Sequence, residues 1–397
     1  MKTKCYYLKA KQVFTESGIK TDHYVLVKNG VIKEITPEIT ATDISIIDLG
    51  DTQLMPGFID MHIHGREGCD VMDAKLSSLN TISTSLAKHG VVGFLATTVT
   101  AKWQDSIKAF SIIGEAANSH LDGAKVLGAY NEGLFFTDEH KGAHNEKFFL
   151  RLTKERVDAI YEATRGTLKV VAMAPEFEDS KDMIHYLDSL GVKVMLGHTN
   201  ANFQQTVDAL DAGACGGVHI FNGMSGIHHR DPGCAGAVLM DENALAEVIA
   251  DGVHLHPTIM QMIYKLKGPK KMALISDCIN AGGFSDGTYR LGELDVYVKD
   301  GVARTKSGSL AGSTLTLEIA IENLVELAKV PLIEAVHMAS LVPAKFLGLG
   351  EELGSIAVGK QAHFAILNKE QQVQATIIDG QVVYQQDDFH SLAILAS

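Results

Sequence analysis

The sequence predicts an α/β fold: a (β/α)8 TIM barrel with a small β-sandwich module formed by the N- and C-terminal segments. Three observations carry this expectation. Eight short apolar runs recur through the middle of the 397-residue chain. Amphipathic helical segments separate most of them. Both ends of the chain read instead as hairpins, each turning on Asn-Gly or Asp-Gly. The length suits one large barrel plus a smaller module, divided as 1–53 and 348–397 for the module and 54–347 for the barrel.

At the N-terminus, Tyr24–Val27 runs into Asn29-Gly30 and continues as Val31–Ile35. Its counterparts are Ala362–Leu367 and Gln374–Ile378, then Asp379-Gly380 and Gln381–Tyr384. The barrel strands are expected at Phe58–Ile63, Val91–Val99, Val126–Tyr130, Leu168–Ala174, Val192–Leu196, Gly217–Phe221, Ala246–Ile249 and Met272–Ile275. Helices are expected at Leu76–Lys88, Lys102–Ala117, Lys154–Thr164, Ser180–Leu190, Asn202–Ala212 and Thr258–Lys267. Residues 284–309 read as a loop or hairpin insertion. Ser313–Leu327 and Leu332–Leu347 read as helices, and Ser391–Ser397 as a frayed end.

Composition narrows the function classes. The formal net charge of −13 argues against wholesale nucleic-acid binding. A local basic pocket for a small anion is still compatible with it. The five cysteines are scattered, with no CxxC pair, which fits reduced thiols in a cytoplasmic protein. The N-terminus lacks a signal-type apolar stretch. No run of about 18 apolar residues suggests a membrane span.

The chemistry starts at Leu54–His64, LMPGFIDMHIH. Residues two apart on a strand point the same way, so His62 and His64 share a face at a strand end. Glu132 follows strand three, His198 follows strand five and His219 lies in strand six. Asp251 and His254 follow strand seven, and Asp277 follows strand eight. All fall at or near carboxyl strand ends, where this fold builds its sites. Imidazoles with carboxylates suit a divalent ion such as Zn²⁺, with Fe²⁺ or Mn²⁺ as alternatives. Such an ion lowers the pKa of a water it binds toward about 7. Asp277 is the expected acceptor of that water's proton, because it has few other partners in reach on this reading.

These residues carry a resemblance. PGFIDxHxH, the late Asp and the split β module look like the amidohydrolase superfamily. Further motifs narrow it: Tyr130-Asn131-Glu132-Gly133, Gly142-Ala143-His144, Gly197-His198-Thr199, His219–Met224, His229–Gly233, Ala250–His254, Ser276-Asp277 with Ala281-Gly282-Gly283, and Leu310–Ser313. Together, in this order over the whole chain, they resemble N-acetylglucosamine-6-phosphate deacetylases.

The resemblance implies hydrolysis of the acetamide of N-acetylglucosamine 6-phosphate to glucosamine 6-phosphate and acetate. Glu132, His198 and His219 would hold the main metal. His62 and His64 with Asp277, bridged through Glu132, would hold a second, so one or two ions per subunit are expected. His144 would polarise the amide carbonyl, and Asp277 would return its proton to the departing amine. Substrate contacts would come from Ala143, His144, Asn222, Gly223, Arg230, Asp251, His254, Leu310, Ala311, Gly312 and Ser313. Arg230 would reach the active site of a neighbouring subunit, which implies a homodimer. The expected partner is a small amino-sugar phosphate, with no nucleic acid and no membrane. Two departures from the family pattern stand out. Gly223 replaces an Ala of many relatives, which is expected to be nearly neutral. Gln361 and His363 stand where many superfamily members are acidic. The rival readings are a deacetylase for the galactosamine epimer, a cyclic-amide hydrolase, and a catalytically silent barrel that binds or scaffolds.

Overall fold

The structure is a computed structural model, and it describes residues 5–292 and 294–392. Eight parallel strands lie side by side in chain order: Phe58–Ile63, Val91–Thr97, Lys125–Asn131, Leu168–Met173, Lys193–Leu196, Gly216–Gly217, Leu245–Val248 and Met272–Leu274. The first and last approach each other at their carboxyl ends. There Asp277 N–H donates to His62 O at 2.9 Å and Ser276 N–H donates to Asp60 Oδ1 at 3.2 Å. Every residue of the first, second, seventh and eighth strands is buried. Burial on both faces is why these strands read as continuous, mostly apolar runs rather than alternating ones.

One helix follows each strand: Leu76–Ala87, Trp103–Ala117, Lys154–Ala163, Ser180–Ser189, Phe203–Asp211, Gly233–Met240, Pro257–Lys267 and Leu317–Glu326. Local signals set their starts. Thr153 accepts from Arg156 N–H, Asn202 and Gln205 form a reciprocal capping box, and Pro257 occupies the first turn behind His256. Gly233–Met240 was not foreseen. Its sequence GCAGAVLM is buried from Gly233 to Leu239. A helix apolar on all sides carries no amphipathic period.

Three expectations need correction. Strand six spans only Gly216–Gly217, so His219 and Phe221 lie beyond it in a turn, both with positive φ. The helix expected from Ser313 starts at Leu317, because Ser313 pairs with Cys278 as an isolated bridge. The helix expected over Leu332–Leu347 is two, Leu332–Met338 and Leu341–Phe346, broken at Ser340, whose φ of −139° is not helical.

The chain ends form one eight-stranded sheet, which joins Cys5–Thr15, Gly18–Lys28, Val31–Thr36, Ser45–Asp48 and Gln53–Pro56 to Phe364–Leu367, Val373–Ile378 and Gln381–Gln385. Gln53–Pro56 pairs antiparallel with Phe364–Leu367 and so joins the two ends. Asn29 and Gly30 have φ of 52° and 75°, and Asp379 and Gly380 have 51° and 71°. Positive φ at both central residues is what a tight hairpin turn demands. Tyr6, Leu8, Val25, Ile32, Phe364 and Ile366 belong to a separate core under this sheet. Ser391 and Leu392 close a short turn of 3-10 helix, and residues 393–397 lie outside the described set.

The insertion is a three-stranded antiparallel sheet, Gly287–Leu291, Leu294–Lys299 and Val302–Thr305. Its Val296, Val298 and Ala303 pack on Val99, Ile279 and Ala311 above the barrel. Among the described residues no helix is long and apolar enough to cross a membrane.

Candidate active site

Glu132 stands at the centre of the carboxyl end of the barrel. Its Oε2 lies 3.1 Å from His64 Nε2 and 3.6 Å from His62 Nε2. Its Oε1 lies 3.2 Å from His198 Nε2 and 3.0 Å from His219 Nε2. The ligand atoms of His62, His64 and Glu132 fall within 4.8 Å of one another, as do those of Glu132, His198 and His219. One carboxylate therefore joins two histidine pairs. Asp277 Oδ1 lies 3.1 Å from His64 Nε2 and 3.6 Å from His62 Nε2. The expectation that Asp277 has few partners is corrected: it shares the His62–His64 pair.

The far side of each ring is held. His64 Nδ1 meets Thr97 O at 3.2 Å, His198 Nδ1 meets His140 O at 3.0 Å, and His219 Nδ1 meets Asn222 O at 3.1 Å. A carbonyl only accepts, so each Nδ1 carries the proton and each Nε2 presents a lone pair inward. His62 Nδ1 faces Glu247 Oε2 at 3.2 Å. The same Glu247 oxygen accepts His219 N–H at 3.3 Å. His62 Nε2 is buried and has no hydrogen-bond partner. An orphaned imidazole lone pair beside two carboxylates is what a divalent cation satisfies, so this donor set fits one.

The electrostatics agree. Burial alone would raise the Glu132 carboxyl, but the neighbouring imidazoles, His62 first, hold it well below the usual carboxylate range. Asp277 is likewise desolvated yet lowered, through its hydrogen bond with His64. His64 is pushed up to about 9, against its desolvation, by hydrogen bonds to Asp277 and Glu132, and a cation bound at Nε2 would displace that proton. His144 goes the other way: burial and then the neighbouring His198 hold it well below the imidazole range. His144 Nδ1 meets Thr100 Oγ1 at 2.8 Å, and its Nε2 lies 3.6 Å from Glu132 Oε2.

His198, His219 and Asp277 have φ of 47°, 25° and 49°. Such left-handed positions cost a non-glycine residue of order 1 kcal/mol or more. They let a chain leaving a strand turn its side chain inward over the barrel mouth. Gly223 has φ of 59°, and a methyl there would sit 2.7 Å from His198 Nδ1. The expectation that Gly or Ala is neutral at 223 is corrected for this chain.

A cavity of about 250 Å³ opens over this centre, lined in part by Ala143, His144, Asn222, Gly223 and His254. Leu310 and Gly312 close one side, and Leu291 and Ser309 reach it from the insertion.

The model of the "Amidohydrolase family" matches residues 53–383. The chain belongs to the amidohydrolase family. Among curated relatives, it is 42% identical over 384 residues to an N-acetylglucosamine-6-phosphate deacetylase of Vibrio furnissii, covering 96% of both chains. It is also 42% identical over 377 residues to an N-acetylgalactosamine-6-phosphate deacetylase of Escherichia coli O157:H7, covering 95% of this chain and 99% of that one. Among solved structures, it is similar to an N-acetyl-D-glucosamine-6-phosphate deacetylase mutant of Mycobacterium smegmatis in complex with N-acetyl-D-glucosamine-6-phosphate. The TM-score is 0.91, with 30% identity over 96% of this chain and all of that one.

On this amidohydrolase barrel, some expected contact residues stand apart from the centre. Asp251 lies behind His254, with its Oδ2 2.6 Å from His254 Nδ1. Ser313 lies in a neighbouring cavity, where its Oγ donates to Ser276 O at 2.5 Å and its N–H donates to Asp277 O at 2.8 Å. It braces the loop that carries Asp277. Ala311 is buried under the insertion. Arg230 is exposed, on Nη1 contact with His229 at 2.6 Å, and does not line this chain's own cavity. Sequence reasoning missed Glu247, Thr100 and Leu291. A carboxylate inside the buried run Leu245-Ala246-Glu247-Val248 was a signal for the first. Thr100 and Leu291 had none.

Proposed function

We propose that this chain hydrolyses the acetamide of N-acetylglucosamine 6-phosphate, giving glucosamine 6-phosphate and acetate in amino-sugar catabolism and cell-wall sugar recycling. The observation that supports it best is a single carboxylate, Glu132, facing two histidine pairs beneath one cavity that Asp277 and His144 share. His198, His219 and Glu132 would hold one divalent ion, and His62, His64, Asp277 and Glu132 a second, with Zn, Fe or Mn as the candidates. An ion held there acidifies the attacking water. Asp277 accepts the proton of that water and returns it to the leaving amine, without which an amide does not depart. His144 is kept neutral. With Thr100 donating to Nδ1, its Nε2–H donates to the carbonyl oxygen as negative charge develops there.

Backbone N–H groups around Asn222 and Gly223 and the His254 ring, braced by Asp251, bind the sugar and its phosphate. Arg230 completes the phosphate site of a partner in a homodimer, which agrees with its exposure. Such an enzyme works in the cytoplasm, where a phosphorylated sugar is retained. The catalytic unit is 54–347, with 1–53 and 348–397 as its β module, except that Leu54–Pro56 pairs into the module's sheet.

Acetate release from the glucosamine and galactosamine epimers of the substrate, measured beside the metal content of the same preparation, tests this reading. The relative that is equally similar but named for the galactosamine epimer makes that sugar the second reading. Faster turnover of the galactosamine epimer would install it instead. Release from neither sugar in metal-loaded protein would remove both.

A further inference from the structure

The opposite, amino end of the barrel carries a basic cavity that the deacetylase reading does not use. Its volume is about 490 Å³, within the range of small-molecule sites. Four lysines line it: Lys193, Lys270, Lys271 and Lys345. No Asp or Glu does, in a chain with 48 acidic and 35 basic residues.

Strand register gathers the charges. Cys215 N–H donates to Val194 O at 2.7 Å, Leu245 N–H to Cys215 O at 2.8 Å, and Ala246 N–H to Lys271 O at 2.9 Å. The starts of strands five to eight therefore lie side by side, with Lys193 and Lys271 at the two flanks. Lys345 joins them from the helix Leu341–Phe346. Lys271 Nζ donates to the Asn243 carbonyl at 2.7 Å. Among the described residues, none of the four has a carboxylate within ion-pair distance. Gathering like charges around one hollow costs free energy unless an anion offsets it. Apart from Asn243, the rest of the wall is mostly apolar, with Leu245, Val342 and the Phe346 ring.

We propose that this cavity binds a small polyphosphate anion of the nucleoside diphosphate type, its phosphates among the lysines and its planar base against Phe346. The proposal is independent of the reaction assigned to the other end of the barrel. The test titrates ADP, and separately pyrophosphate, into the metal-loaded protein by calorimetry. The same titrations are made on a Lys193→Gln/Lys271→Gln/Lys345→Gln variant. The wild type should bind both, and ADP more tightly. The variant should lose about tenfold in affinity for each lysine removed, with its deacetylase rate unchanged. Should the triple variant fold poorly, the exposed single change Lys345→Gln is read for its own tenfold loss. Pyrophosphate bound as tightly as ADP would reduce the site to its phosphate part and overturn the nucleoside assignment. Equal affinity in wild type and variants, or no binding to the wild type, would overturn the site.

Discussion

Asp277 stands where two duties meet. Its Oδ1 is 3.1 Å from His64 Nε2, and its left-handed φ of 49° aims it into the barrel mouth. On the proposed mechanism, Asp277→Asn keeps a similar shape and loses the proton acceptor. Turnover should fall by about 10²–10⁴, while metal remains at the Glu132–His198–His219 group. Initial rates and elemental analysis check this together, and near-normal turnover would remove Asp277 from the role. Glu247 supports a different prediction. One of its oxygens touches both His62 Nδ1 and His219 N–H, so it holds a residue from each histidine pair. Glu247→Gln preserves the contacts but removes the charge behind His62. Metal affinity should fall about 10–100-fold, read by competition with a chelator rather than by activity. The imidazoles and carboxylates that converge on Glu132 were legible in the sequence, because such side chains at strand ends leave a pattern. The groups that aim them were not. Thr97, His140 and Asn222 act through backbone carbonyls, which any residue type supplies.

The eight strands and most of the helices were legible at the scale of elements, since a buried strand and an amphipathic helix each impose a period. Where that period vanished, so did the expectation. Gly233–Met240 is apolar all round. The turn that holds His219 reads as strand because Val218, Ile220 and Phe221 are apolar, although their backbone leaves the sheet. The insertion was foreseen as a loop or hairpin, but not its reach over the cavity. Its Val296 is fully buried against the satellite core under Leu291. Val296→Ala should remove about 1–2 kcal/mol of side-chain burial, and most of it from this small sheet. KM should therefore rise several-fold with little change in global Tm. Steady-state kinetics beside a thermal melt checks this. A Tm drop with unchanged KM would make the sheet a mere buttress.

At the scale of the whole molecule, two joints remain: the one proposed between subunits and the one between module and barrel. On the dimer reading, Arg230→Ala should raise KM for the phosphorylated sugar far more than for the unphosphorylated one, and equal effects on both would make Arg230 structural. The second joint is His363. Its carbonyl accepts Gly57 N–H at 3.0 Å, at the entry to the first barrel strand. Its Nδ1 accepts Asp379 N–H at 3.1 Å, and its Nε2–H donates to Gln361 Oε1 at 2.7 Å. Asp379 pairs in turn with Lys125 of the third barrel strand at 2.6 Å. Both hydrogen bonds of the ring are made by the neutral form. Burial, and then the charge of Lys125, depress its pKa to about 4, while the Asp379 carboxylate, 3.7 Å from Nε2, opposes the depression. The unfolded chain takes up this proton near the ordinary histidine value of about 6.5, and the folded one only near 4. Between those limits the unfolded state binds more protons, so stability must fall as pH drops. At about 1.4 kcal/mol per pKa unit, a few kcal/mol are at stake. His363→Gln keeps an acceptor for Asp379 N–H and has nothing to titrate. Urea unfolding at pH 7, 6, 5 and 4.5 should show the wild type losing stability over this window and the variant losing less. Parallel losses in both proteins would place the acid sensitivity elsewhere, and His363 would then join module to barrel through its backbone alone.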